Sequence, residues 1–233
     1  MSGSSSKGIV IGVLALVVVG AALWYSGVIG GKPAKEDDAT AATDAATPAT
    51  DTPAPAQPES PAGVPAPADT VIANFDGGSA QAPYGMGIQA GGDEFQGGKS
   101  TATQQVIDGG ANGSKGSLEV SGEVRPGTQY PSAGTYFFPE GPPTQGIMDY
   151  SAKTRLSFYA KGDGQQYQMM VLSGTPMKMP PLMLGFTAGP EWQKYEFEIP
   201  KLGAADWKRV RMIGWMQMAQ GPFKFQLDEI QLE

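Results

Sequence analysis

Residues Gly91 to Ser100 read GGDEFQGGKS, and the last three letters could close a phosphate-binding loop. Such a loop needs Gly, four residues and then Gly-Lys-Ser/Thr, so that backbone N–H groups wrap the phosphates before a helix begins. Counting back from Gly98-Lys99-Ser100 puts the first glycine at residue 93, which is Asp, and no helical pattern follows in TATQQVIDGGANGSKG. The stretch is expected to be a glycine turn between strands, with no nucleotide. The chain has no Cys and no His, which removes Ser-His and Cys-His pairs, thiolates and imidazole zinc sites. Glu196 and Glu198 share a strand face, whereas glycoside hydrolysis needs two carboxyls about 5–10 Å apart across a cleft. No catalysis is expected. Among 11 methionines, Met177, Met179 and Met183 fall in TPMKMPPLM, and Met216 and Met218 lie on one strand face. Thioethers are soft ligands that suit Cu(I); methionine also fills irregular apolar gaps and forms adaptable binding surfaces.

The elements that must position these residues are short strands punctuated by Gly and Pro. Thr70–Phe75, Ser117–Val120, Gly134–Phe138, Arg155–Lys161, Tyr167–Ser173, Trp192–Ile199, Val210–Met218 and Phe223–Leu232 read as strands. Gly162-Asp163-Gly164 marks a tight turn. Leu156, Phe158 and Ala160 alternate with Arg155, Ser157, Tyr159 and Lys161; Tyr195, Phe197 and Ile199 alternate with Lys194, Glu196 and Glu198. Only Leu202–Lys208 suggests a brief helix. The pattern predicts an all-β sandwich or barrel over residues 70–233. That region carries 13 basic and 16 acidic residues, so no basic surplus points to nucleic acid.

Ahead of it, residues 1–7 form a short tail, and Gly8 to Ile29 run for 22 residues without a charge. That length spans a bilayer core of about 30 Å. Trp24-Tyr25 at its end suits the membrane interface, so residues 8–29 are expected to be a transmembrane signal anchor; the alternative is a cleaved signal peptide ending near Ala22. Residues 36–69 hold 11 Ala, 7 Pro and 7 acidic residues. Such a composition cannot offset ordering entropy, so residues 30–69 are expected to be a disordered linker. A tether of this kind suits a single-pass protein with its domain outside the cytoplasm, in a bacterial envelope, although Lys32 and Lys35 modestly favour the opposite orientation.

The ordered set NFD (74–76), GGKS (97–100), SLEVSGEV (117–124), LSFYAKGDGQQYQMMV (156–171), PEWQKYEFEIP (190–200), RMIGWM (211–216) and GPFKFQLDEIQL (221–232) resembles the complex I intermediate-associated protein 30 domain. That family is similar in turn to family 11 carbohydrate-binding modules. The resemblance implies a galactose-binding-like jelly roll, non-catalytic, that binds carbohydrate or serves in complex assembly through a protein partner. The sequence departs from the family where Phe95-Gln96 precedes the GG-x-S turn and where Ser132-Ala133-Gly134-Thr135-Tyr136 replaces an apolar Gly-Gly-Phe segment.

Sugar recognition needs an aromatic plane with amides beside it. Strand parity offers one outward row per strand, Tyr159, then Gln168 and Met170, then Trp215 and Gln217, then Gln226, as a ligand-binding face; with the parity inverted, Tyr159 and Trp215 pack inward. The resemblance also implies a structural calcium joining first and last strands, to which Asp76 and Asp228 could contribute. The alternative is two solvated strand-end carboxylates.

Overall fold

The computed structural model describes residues 63–68, 71–139 and 147–233. The expected anchor, residues 8–29, and most of the expected linker lie outside the described residues. Among the described residues no helix is long and apolar enough to cross a membrane.

The described chain forms a compact unit of two sheets. Its strands are β1 (Val64–Pro65), β2 (Val71–Ala73), β3 (Ile88–Gly91), β4 (Thr101–Asp108), β5 (Gly116–Val124), β6 (Ala133–Phe137), β7 (Met148–Asp149), β8 (Arg155–Gly162), β9 (Gln166–Ser173), β10 (Leu182–Thr187), β11 (Gln193–Glu198), β12 (Val210–Gln217) and β13 (Gly221–Leu232). In the seven-stranded sheet β12 is central. It pairs with β6, which pairs with β3; with β9, which pairs with β10; and briefly with β7, which pairs with β1. The six-stranded sheet runs β11-β8-β13-β5-β4, with β2 added to the end of β13.

Alternation decides what each strand buries, because successive side chains point to opposite faces of a sheet. Leu156, Phe158 and Ala160 of β8 are fully buried, as their parity predicts. Tyr195 stacks on Phe158 at 5.5 Å between ring centroids, and Phe197 packs beside it. Between the sheets, the rings of Tyr167, Phe186, Phe225, Phe158 and Trp215 interlock edge and face; Phe158 meets Trp215 edge-on at 5.7 Å. Gln104 of β4 ties the sheets together, donating to the Ile88 carbonyl at 2.7 Å and accepting from the Thr135 hydroxyl at 2.6 Å.

β13 carries a bulge. Phe223, Phe225 and Leu227 face the core, then Glu229 adopts φ 51° and the register shifts between Asp228 and Gln231. One extra residue restores the inward parity of Ile230 and Leu232.

The structure departs from the sequence reading in several places. Leu202–Lys208 is no helix; a short 3₁₀ turn occupies Ile199–Lys201 instead. Strands β1, β3, β4, β7 and β10 lie outside the eight segments that read as strands. Order also begins before residue 70. Val64–Pro65, inside the expected linker, pairs in parallel with Met148–Asp149, and Gly63 N–H donates to the Lys208 carbonyl at 2.8 Å.

Candidate functional site

The six residues expected on one binding face are divided among three places. Gln168 and Met170 point from β9 onto the outer face of the seven-stranded sheet, alternating with the buried Tyr167, Met169 and Val171. Tyr159 and Gln226 lie on β8 and β13, on the outer face of the opposite sheet. Trp215 is a correction: it is fully buried against Phe158, and its indole N–H finds no hydrogen-bond partner. Gln217 has the same inward parity and is 2% exposed. Its amide donates to Gln165 Oε1 and the Gln166 carbonyl at 3.2 Å, while its oxygen accepts from the N–H groups of Met218 and Ala219 at 2.8 Å. It shapes the turn leaving β12.

The two outer faces differ in chemistry. The six-stranded sheet presents an ion-paired polar surface, with Lys224 to Glu119 at 2.8 Å, Gln105 to Glu119 at 3.1 Å and Lys194 to Glu196 at 2.7 Å. The Lys194 ammonium donating to Glu196 holds that carboxyl below its usual range, and Glu198 pairs with Lys201 at 2.8 Å. Tyr159, Gln226 and the Glu196/Glu198 pair thus sit on a solvated charged face.

The seven-stranded sheet is apolar and amide-bearing on its outer face. Pairing across β10, β9, β12, β6 and β3 aligns Met183, Met170, Gly214, Tyr136 and Gln89 in one transverse row. The next row aligns Gly185, Gln168, Met216, Gly134 and Gly91. The Tyr136 ring lies across the glycine backbone: a Cβ on Gly214 would meet it at 2.6 Å, and one on Gly91 at 3.5 Å. Burial pushes the Tyr136 phenol far above its ordinary pKa, opposed by a hydrogen bond with Ser132. It is therefore a neutral hydroxyl on an apolar plane. Elsewhere on this sheet, Gln166, Gln168, Met183, Gln217, Met218 and Ala219 line a shallow groove of about 390 Å³. Met170, Met183, Met212 and Met218 are half-buried around the row. Tyr136, Gln89, Gln166 and Met212 were missed from sequence; the available signal was the alternation of Tyr136 with Thr135 and Phe137.

Asp76 and Asp228 are brought together through Ser114. Asp76 Oδ1 accepts from the Ser114 hydroxyl at 2.8 Å and from the N–H groups of Lys115 and Gly116 at 2.6 and 3.3 Å. Those donors, the hydroxyl foremost, hold Asp76 below the usual carboxylate range. Asp228 is fully buried and accepts Ala111 N–H and Glu229 N–H at 2.8 Å each. Burial raises its pKa to about 6 against those two donors. Calcium needs 6–8 oxygen ligands, and among the described residues no group of three His, Cys, Asp or Glu side chains converges. In this structure these carboxylate oxygens accept N–H and O–H donors and hold the 109–116 loop to the strands that carry Asp76 and Asp228.

The GGDEFQGGKS stretch has the same logic. Asp93, fully buried, accepts Ser100 N–H at 2.8 Å, the Ser100 hydroxyl at 2.9 Å and the Thr128 hydroxyl at 3.2 Å. Gly98 is required because its Cβ would lie 2.1 Å from Asp93 Oδ1. Strand β4, not a helix, follows at Thr101, and the Asp93 carboxylate stands where a phosphate-binding loop keeps glycine.

No protein-family model matches the chain by sequence, and neither does any curated protein. The resemblance to the complex I intermediate-associated protein 30 domain therefore has no sequence match behind it. The fold is similar to a family 11 carbohydrate-binding module of a cellulosomal cellulase of Clostridium thermocellum, at 16% identity over 72% of this chain and 95% of that one, TM-score 0.51. A family 11 module from the same organism, solved in complex with a β-1,3-1,4-mixed-linked tetrasaccharide, matches at 17% identity over 74% and 96%, TM-score 0.51. An exo-β-agarase matches at 13% identity over 70% of this chain and 24% of its own, TM-score 0.52. At these identities the likeness establishes the fold: an all-β sandwich of the kind found in carbohydrate-binding modules.

Proposed function

We propose that the domain is a non-catalytic glycan-binding module, carried at the cell envelope on the expected anchor of residues 8–29, and that it binds through the outer face of its seven-stranded sheet. One observation supports the reading above others: a shallow groove on this face where the amides of Gln166 and Gln168 stand beside the apolar side chains of Met183 and Met218. A pyranose ring has an apolar face and a rim of hydroxyls; this surface offers both counterparts. The paired carboxylates on the opposite sheet have no role in it.

The test is calorimetric titration of the full-length protein, in a detergent without a sugar headgroup, against soluble mixed-linked β-glucan, xyloglucan and galactan. Gln168→Ala and Met170→Ala are expected to lower affinity for the bound glycan about tenfold or more, equivalent to about 1.4 kcal/mol. Tyr159→Ala and Gln226→Ala, on the far face, leave it unchanged. Binding lost through the far-face pair instead would reverse the assignment of faces.

The alternative is a protein-interaction or assembly role for the same face. Its support is the half-exposed methionines, whose flexible thioethers adapt to varied partners. Crosslinking in intact membranes through Met170, with no glycan binding in vitro, would select it.

A further inference from the structure

We propose that the free edge of β4 pairs with the same edge of a second copy of this chain, antiparallel about a two-fold axis at Gln104, joining two six-stranded sheets into one. Among the described residues β4 pairs only with β5, so its other side offers backbone N–H and C=O groups to a further strand. Burial agrees. Ala102, Gln104 and Val106 turn inward yet stay half-buried, whereas Leu118 and Val120, their neighbours on β5, are fully buried. Exposed edges are ordinarily blunted by lysine, proline, bulges or short strands, and β4 has none of these. It runs eight residues, TATQQVID, in unbroken register with β5, and its one charge is Asp108 at the end. The other long edges are guarded. Strand β11 carries Lys194, Glu196 and Glu198, and β10 holds Gly185 while its Thr187 carbonyl accepts the Tyr195 hydroxyl. Strand β3 has four residues, and its Ile88 carbonyl accepts the Gln104 amide.

The residues of this edge suit a copy of themselves. Directly opposed residues of an antiparallel pair keep their side chains on one face, so a two-fold axis at Gln104 sets Thr103 against Gln105 and Thr101 against Ile107 on the outer face. On the inner face it sets Ala102 against Val106, apolar against apolar. No like charges meet within the pair. Lys99, exposed just before the strand, comes to the end where the second copy's Asp108 lies. A parallel pairing would instead set Lys99 against Lys99 and Asp108 against Asp108, and like charges placed together are destabilising. The axis is normal to the sheet, so the outer faces of both seven-stranded sheets turn to the same side. Two-site capture of one glycan chain would follow from that arrangement; this consequence rests on the proposed glycan binding, and the strand pairing does not.

The chain has no Cys, so one introduced thiol takes one nitroxide label. Gln193, exposed on β11 at the far edge of the same sheet, is the position for it. Labelled full-length Gln193→Cys is measured in detergent by double electron–electron resonance at about 10 μM and about 300 μM protein, a span that reads weak association. The order β11-β8-β13-β5-β4 puts four strand spacings in each copy and one between them. At about 4.8 Å per spacing, a label-to-label distance of about 40–45 Å is expected to grow in with concentration. In the same labelled chain, Thr103→Lys/Gln105→Lys changes two exposed positions and gathers four ammonium groups about the axis. It should abolish that distance at an unchanged melting temperature. Absence of the distance at about 300 μM would overturn the pairing. So would a distance that survives the two lysines, which would place the association elsewhere in the chain, the expected anchor included. Glycan titration of the lysine variant is read separately, so either proposal can fail alone.

Discussion

Asp228 shows how one residue can be visible in sequence and still be misread in role. A carboxylate in the last strand is open to solvent or to a metal; here it is enclosed, and its two oxygens anchor the N–H groups of Ala111 and Glu229. Its pKa, raised from 3.8 to about 6 chiefly by burial, makes a signed prediction. The folded state keeps the proton that the unfolded chain releases, so this group's contribution is full below about pH 4 and is lost as pH rises to about 6. A shift of about two units corresponds to a loss on the order of 3 kcal/mol, at about 1.36 kcal/mol per unit. Urea unfolding at pH 4, 5, 6 and 7 should show that loss in the wild type and a flatter profile in Asp228→Asn. Parallel profiles would mean that Asp228 is ionised throughout. Asp76, held low by the Ser114 hydroxyl, acts with the opposite sign, which is why the comparison is between variant and wild type.

Strand β12 is where parity was legible but its sense was not. In VRMIGWMQ, the row Ile213, Trp215, Gln217 alternates with Met212, Gly214, Met216, and both rows contain apolar residues. Burying Ile and Trp removes more apolar surface from water than burying Met, Gly and Met, so the first row turns inward. Tertiary packing also places Phe158 against the indole. Trp215→Ala is expected to cost about 3–5 kcal/mol, the range for removing a large buried aromatic side chain. Trp215→Phe should cost clearly less, because the indole N–H it removes has no partner. Chemical denaturation of both variants checks the ranking; equal losses would imply a polar role for that N–H. Strand β8 was easier, since Leu156, Phe158 and Ala160 oppose a row containing Arg155 and Lys161. In β10, Met183, Gly185 and Thr187 oppose Leu182, Leu184 and Phe186 after a Pro-rich turn, and without the pairing to β9 that segment reads as loop.

For the whole molecule, the unit begins earlier than composition suggests. Gly63 N–H, Val64 N–H and Ala66 N–H donate to Lys208, Ile147 and Asp149 carbonyls at 2.7–2.9 Å. A chain starting at Ala62 should therefore melt higher than one starting at Thr70, by an amount corresponding to about 1.5–4.5 kcal/mol for three backbone hydrogen bonds. Calorimetry of the two chains decides; identical transitions would make β1 an incidental contact. Pro and Ala dominate this stretch, and nothing in their composition signals pairing to a distant strand.

The sequence by itself determined the all-β class, most of the strands and the buried sides of β8 and β11, because those follow from local alternation and turn residues. It also excluded cysteine and histidine chemistry outright. Only the tertiary structure decided which strands share a sheet, and with it which outward residues share a surface. Alternation reports two faces per strand and says nothing about which sheet a strand joins, so Tyr159 and Gln168 look equivalent in sequence and end on opposite sides of the sandwich. The row Met183, Met170, Gly214 and Tyr136 arises from the register of β10, β9, β12 and β6, a long-range property that no local pattern encodes.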